Sequence, residues 1–342
     1  MTLRIGWYVH HHGGGHLVRM SAIAAHLDAE ISCFSSLPQP DDLPEHCSWT
    51  LLDRDDDVRP GGADPRESDP SVGGLLHWAP IGHAGHLSRM STITAAVAET
   101  PFDAFVSDVS VEVALLARLL GIRTVVIAQP GRRDDAAHQL GYRTATTIVA
   151  PWPRAMLRPS HLEPVADKTV YTGGISRYEG RVRPAASRTA AERRDVVVLG
   201  GRGGSSVSSV AVEEAAASSG LRWRSLGATP DAAWAADPWE ELTSARVVVA
   251  WAGQNSIADL AAADAAAVVI PQDRPFAEQF DTALALDRAG LAVVATHWPT
   301  ADAWPDLIDR ASSLRRDWSR WEVAGAAARA AAAIDATARG RR

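Results

Sequence analysis

The sequence predicts an α/β protein built from two Rossmann-like, doubly wound lobes that face each other across a cleft. Three observations carry this. Short apolar, β-branched runs alternate with helical periodicities from Leu3 onward, as strands buried on both faces of parallel sheets do. The alternation is interrupted over residues 151–185, which are proline-rich and carry little periodicity until Val170-Tyr171, and then it restarts. A chain of 342 residues is long for one core and comfortable for two. The lobes are expected at 1–165 and 166–320, followed by a C-terminal segment at 321–342.

In the first lobe, residues 3–9 read as a strand, 10–15 as a loop, 17–27 as a helix and 31–34 as a second strand. Residues 53–74 are rich in Asp, Pro and Gly and have no hydrophobic period, so they read as an exposed loop. A helix at 87–98, a strand at 102–106, a helix at 111–120 ended by Gly121 and a strand at 124–128 follow. In the second lobe, a strand at 196–199 leads through GGRGGSS into a helix at 207–218. The segment 247–279, VVVAWAGQNSIADLAAADAAAVVIPQDRPFAEQ, reads as strand, glycine turn, helix, strand and polar loop. The Ala/Arg tail, about 318–338, reads as an amphipathic surface helix that could cross back to the first lobe. One echo stands out: GHLVRMS at 15–21 resembles GHLSRMS at 85–91, and each opens a helix after a glycine-rich loop.

Composition narrows the function classes. Apolar content of 46% and charged content of 22% are ordinary for a globular protein, and a net charge of −7 argues against a general nucleic-acid binder. Cys33 and Cys47 follow no metal spacing and read as a reduced pair, so a cytoplasmic protein is expected. The first residues carry no basic segment followed by an apolar run, so no signal peptide is expected. No apolar run approaches the roughly 20 residues of a spanning helix, so membrane contact is at most peripheral.

The chemistry-bearing residues gather in the turns after strands. A helix opening in a small, polar turn just past a parallel strand offers free backbone N–H groups that suit a phosphate. Gly253, Gln254, Asn255 and Ser256 form such a turn; Ser256 could cap the helix, bond a phosphate oxygen, or both. Asp259 lies one turn further in, where a carboxylate can reach a ribose hydroxyl. Glu278 and Gln279 come from the loop after the next strand, on the carboxyl edge where ligands bind. Gly201, Arg202, Gly203 and Gly204 form a second anion-binding turn, in which the Arg could pair with a diphosphate. In the first lobe, Gly13, Gly14 and Gly15 allow close backbone approach to a ligand, but their spacing is not that of a dinucleotide fingerprint. His16 opens a helix, an environment that keeps an imidazole neutral as a general base should be. Asp108, in SDVS, could orient that imidazole or cap the following helix. His10, His11 and His12 are not expected to bind a metal, because adjacent strand residues point to alternate faces. His83 and His86, in a second glycine loop, could touch an acceptor or simply form a surface turn.

These residues resemble those of GT-B glycosyltransferases, in the branch containing the peptidoglycan N-acetylglucosaminyltransferase that makes lipid II. The resemblance rests on AGQNSIADL followed by IPQDRPFAEQFDTALALDRAGLAVV, on GGGHLVRMSAIAAHL, on TGGISR at 172–177 and on VVLGGRGGS. It implies a nucleoside diphosphate sugar donor held on the second lobe. Ser256 and Arg177 would contact the diphosphate, Asp259 the ribose, and Glu278 and Gln279 the sugar hydroxyls. The branch usually has Glu where Asp259 stands. A vaguer resemblance to small-molecule glycosyltransferases, whose first-loop His and an Asp form a base dyad, implies His16 with Asp108. The expected activity is inverting, metal-independent glycosyl transfer from a UDP-sugar, with no cofactor, to a small-molecule, glycan or lipid-linked acceptor. A sugar-nucleotide 2-epimerase and a non-catalytic sugar-nucleotide-binding partner of another transferase are the alternatives.

Overall fold

A computed structural model describes residues 2–58, 63–183, 195–201 and 207–340. The first lobe runs β1 (Leu3–Val9), α1 (Gly15–Ala24), β2 (Ala29–Ser35), β3 (Cys47–Leu51), α2 (Ala84–Glu99), β4 (Ala104–Asp108), α3 (Val111–Leu119), β5 (Arg123–Ile127), α4 (Ala136–Thr144), β6 (Thr147–Ala150) and β7 (Thr169–Tyr171). Its seven strands are all parallel, in the order β3-β2-β1-β4-β5-β6-β7. The second lobe runs β8 (Asp195–Leu199), α5 (Ser209–Ser219), β9 (Arg222–Leu226), α6 (Trp239–Ser244), β10 (Val247–Trp251), α7 (Gln254–Ala263), β11 (Ala267–Ile270), α8 (Glu278–Ala289), β12 (Val293–Val294) and α9 (Trp304–Ser313). Its five strands are also parallel, ordered β12-β11-β10-β8-β9.

Two features differ from expectation. The first sheet continues through Tyr171, because Thr169 to Tyr171 pair with Ile148 to Ala150 at its edge. The chain therefore leaves the first lobe after the boundary expected at 165. The tail is not one long helix: a short 3₁₀ turn, Trp318–Trp321, precedes α10 (Ala326–Ala338). The small face of α10, with Ala327, Ala331 and Ile334, packs into the core of the first lobe beside Ile5, Trp7 and Ile23. Alanines let a helix lie close to a sheet, and Trp318 and Trp321 anchor the preceding turn in the second lobe. The tail thus ties the lobes together instead of lying solvated on one of them. Among the described residues no helix is long and apolar enough to cross a membrane.

Both sheets turn their carboxyl edges toward the cleft. In the first, the strand order reverses between β1 and β4, and the crevice beyond such a switch point is where open α/β sheets bind ligands. In the second, the corresponding crevice lies between β8 and β10.

Candidate active site in the interlobe cleft

His16 follows β1 and Asp108 ends β4, so the switch point brings them together. His16 Nδ1 lies 2.9 Å from Asp108 Oδ1. Arg19 Nη2 also lies 3.1 Å from Nδ1, but the shorter contact is to a carboxylate, which only accepts; with the Nδ1 hydrogen donated to Asp108, Nε2 keeps its lone pair. Burial would raise the Asp108 pKa, but the Arg19 guanidinium and then His16 hold it well below the usual carboxylate range. The other role open to Asp108 is taken by Ser110, whose hydroxyl accepts from Val113 N and caps α3. Val109 between them has φ +68°, costly for a β-branched residue, and marks a strained turn at the site.

Opposite, α7 opens with Gly253 at its N-cap and no capping side chain. Ser256 therefore does not cap the helix, and the first-turn N–H groups face the cleft edge of the sheet, favourable to an anion by about 0.3–1 kcal/mol per site. Asn255 Nδ2 donates to Gly15 O at 2.9 Å, so the first-lobe glycine loop meets α7 directly. Gly14 is the N-cap of α1.

The remaining second-lobe candidates are engaged by the protein itself. Asp259 is 5% exposed and accepts a 2.6 Å hydrogen bond from Ser176, with Arg177 Nε 3.3 Å from its other oxygen. Burial pushes its pKa up to about 6, against the pull of Ser176 and Arg177. Arg177 also donates to Ala236 O at 2.8 Å and lies over the Tyr178 ring. The side chains of the 172–177 segment thus close on Asp259. Glu278 and Gln279 open α8 and do not lie in the loop expected; Gln279 is buried and accepts from Gln272 N at 2.9 Å, bracing the loop that precedes the helix. Glu278 Oε2 pairs with Arg133 Nη2 of the first lobe at 3.0 Å. Gly201 follows β8 with open space around its Cα; Arg202, Gly203 and Gly204 lie outside the described residues.

Between the lobes lies a cavity of about 460 Å³, bordered by His16, Ser110, Arg133, His138, Phe276 and Glu278 with an apolar floor that includes Val126 and Tyr142. A second, more polar cavity of about 320 Å³ shares His10, His12 and His77 with it and continues to Trp78 and Arg89. His83 and His86 line neither. His83 caps α2 by accepting from His86 N at 3.2 Å, which accounts for it without an acceptor.

The histidine run departs from the expected alternation because it lies beyond the end of β1. His11 Nε2 and His12 Nε2 converge on Asp56 Oδ2, at 3.5 and 3.0 Å. Arg54 already forks onto both Asp56 oxygens, at 2.9 and 2.8 Å, so that carboxylate is neutralised by a cation of the chain. A second cluster joins His77, Asp135 and His138. Arg133 Nη1 donates to His138 Nε2 at 2.8 Å, so His138 Nδ1 carries the hydrogen and donates to Asp135 Oδ2 at 2.5 Å. That tautomer has no Nδ1 lone pair for a cation. Burial, against the Asp135 bond and with the Arg133 charge, pushes the His138 pKa down to about 4.

Sequence reasoning missed Arg19, Arg133, His77 and His138. Arg19 had a signal: it sits three residues after His16, on the same face of the helix. The echo repeats it, for buried Arg89 three residues after His86 pairs with Asp55 as Arg19 pairs with Asp108.

Several solved structures with the same architecture are glycosyltransferases. MurG of Acinetobacter baumannii matches with a TM-score of 0.62 and 16% identity, over 98% of this chain and 99% of that one. Arabidopsis thaliana UGT89C1 complexed with UDP matches at 0.66 and 14%, over 97% and 100%. The spinosyn rhamnosyltransferase SpnG complexed with spinosyn aglycone matches at 0.59 and 14%, over 97% and 96%. The two-lobed fold is therefore the GT-B fold of glycosyltransferases. No protein-family model and no curated protein matches the chain.

Proposed function

We propose that the protein transfers a sugar from a nucleoside diphosphate sugar, in the first instance a UDP-sugar, to a hydroxyl of a small-molecule acceptor held in the interlobe cavity. The observation that carries this is the His16–Asp108 pair at 2.9 Å: His16 borders a cavity closed from the other lobe by Pro275, Phe276 and Glu278, and Gly15 beside it accepts from Asn255 in the opening turn of α7. UDP in the Arabidopsis enzyme and thymidine diphosphate and an aglycone in SpnG are the ligands of similar folds.

In this reading the acceptor oxygen attacks the anomeric carbon while its proton passes to His16 Nε2. The carbon–oxygen bond to the diphosphate breaks, and the electron pair leaves with the nucleoside diphosphate. One displacement with one base inverts the anomeric centre. Asp108 holds the imidazole tautomer and stabilises the imidazolium that forms. The leaving diphosphate is met by the N–H groups of Gly253 to Ser256 at the opening of α7, preorganised dipoles that supply the stabilisation without a metal in this reading. Glu278 binds a sugar hydroxyl by exchanging its bond to Arg133. Asp259 reaches ribose only by exchanging the Ser176 bond, so its first duty in this reading is to hold Ser176 and Arg177 against α7. The acceptor cavity is compact, with an apolar floor and a histidine rim. It suits a small amphipathic acceptor better than a long lipid chain.

The test is turnover of a panel of UDP-, TDP- and GDP-sugars with hydroxylated acceptors, by wild type and His16→Ala. Product from wild type and its loss in the variant support the reading. Equal turnover by both removes His16 as the base. Conversion of a UDP-sugar without acceptor would favour an epimerase.

A further inference from the structure

α1 places a second charged side chain beside the dyad. Arg19 is 2% exposed and forks onto Asp108: Nε donates to Oδ2 at 3.1 Å and Nη2 to Oδ1 at 2.6 Å. Its remaining arm crosses the cleft, where Nη1 donates to Gln254 Oε1 at 3.2 Å. Gln254 is the first residue of α7. Its Nε2 is buried and has no partner among the described residues, although an amide nitrogen in the interior normally finds an acceptor. Holding the amide by its oxygen also sets which way its nitrogen faces, at the opening turn proposed for the diphosphate.

We infer that Arg19 is a positioning residue that couples the two halves of the reaction. It braces Asp108, and through it His16, with two arms, and it orients Gln254 with the third so that Nε2–H is offered to an oxygen of the bound donor. This rests on the glycosyl-transfer reading. Donor binding and proton abstraction, which lie on different lobes, then share one guanidinium. A donor that engages Gln254 holds α7 against Arg19 and so keeps the dyad aligned for the acceptor. The neighbouring bond from Asn255 to Gly15 O holds the same two helix ends together but touches neither Asp108 nor His16.

Three variants separate the parts. Gln254→Glu keeps an oxygen for Arg19 and removes the N–H, so donor KM rises about tenfold with kcat within about twofold. Gln254→Ala removes both groups, so kcat falls as well. Arg19→Lys keeps a cation beside Asp108 but cannot span to Gln254, so combining it with Gln254→Ala adds less than about twofold to the larger single effect. Multiplicative effects, or a Gln254→Glu variant indistinguishable from Gln254→Ala, would overturn the inference while leaving the proposed function standing. Absence of turnover by wild type would instead remove the function. The coupling is then read in the NMR resonance of the His16 Nδ1 proton, which Gln254→Ala shifts or broadens if Arg19 transmits the contact; an unchanged resonance overturns it.

Discussion

The cleft faces of the two lobes are built in opposite ways. On the first lobe the candidate base and its neighbours are already arranged: His16, Asp108 and Arg19 form a hydrogen-bonded cluster at the β1/β4 switch point. On the second lobe most of the side chains expected to hold a donor are occupied by the protein. Asp259 holds Ser176 and Arg177, Gln279 holds the loop before α8, and Glu278 holds Arg133 across the cleft. The α7 turn remains open there. Under the proposed function the contrast has a physical reason: a base must be aligned in advance, whereas a face that releases a nucleoside diphosphate can use exchangeable partners.

The largest effect should come from the prearranged face. His16→Ala should lower kcat/KM by about 10²–10⁴, the usual worth of a positioned base, with donor binding by calorimetry unchanged. Asp108→Asn offers an amide where the imidazole N–H and Arg19 need a carboxylate, and kcat should fall by at least about 10² in the same assay. Equal loss of donor affinity in either variant would contradict the division of labour between lobes.

The lobe contact itself comes next. Gly131 has φ +98°, and a Cβ there would meet Phe276 O at 2.3 Å. Beside it Arg132 N donates to that same oxygen at 2.7 Å. Gly131→Ala should cost about 1–3 kcal/mol in thermal or denaturant unfolding, because neither the backbone nor the contact can accommodate the methyl. Wild-type stability in that variant would show that the clasp is not part of the fold. Glu278→Gln keeps hydroxyl recognition but loses the ion pair to Arg133. Donor KM should change by only about threefold or less, consistent with a partly exposed pair being worth about 0–1 kcal/mol. A much larger rise would mean that Glu278 acts on the donor through its charge.

The subtlest test concerns Asp259. Its folded pKa, pushed up to about 6, lies above that of an unfolded carboxylate, so the folded state binds the proton more tightly. Its contribution to stability is therefore most favourable at low pH and is lost as pH rises toward 6. Asp259→Asn cannot ionise, so its Tm relative to wild type should climb between about pH 4 and pH 6 and level off above. A pH-independent difference would place the ionised carboxylate in a hydrated setting, free for ribose.

Much of this was legible in the chain. β1 spans the residues expected, Leu3–Val9, because a buried parallel strand is a continuous apolar run bounded by a glycine loop. Asp108 was visible as a carboxylate at a strand end, with two roles open. The choice between them turned on Ser110 taking the cap, a matter of local angles. β3 and β9 were missed because Cys47–Leu51 and Arg222–Leu226 are edge strands with polar or half-buried side chains. The tail's destination was only half visible, since an alanine-rich face reads equally well as solvated or closely packed until a partner surface is known.

The sequence alone determines the two βα arrays and places His16 at the start of the helix after β1, because each follows from periodicity and turn chemistry within a few residues. Only the tertiary structure decided that Arg19 reaches Gln254, that Glu278 meets Arg133 and that Asp259 is taken by Ser176. These pairs are separated by 235, 145 and 83 residues. A polar side chain finds its partner through the packing of whole lobes, and no local pattern records which of several acceptors will be within 3 Å.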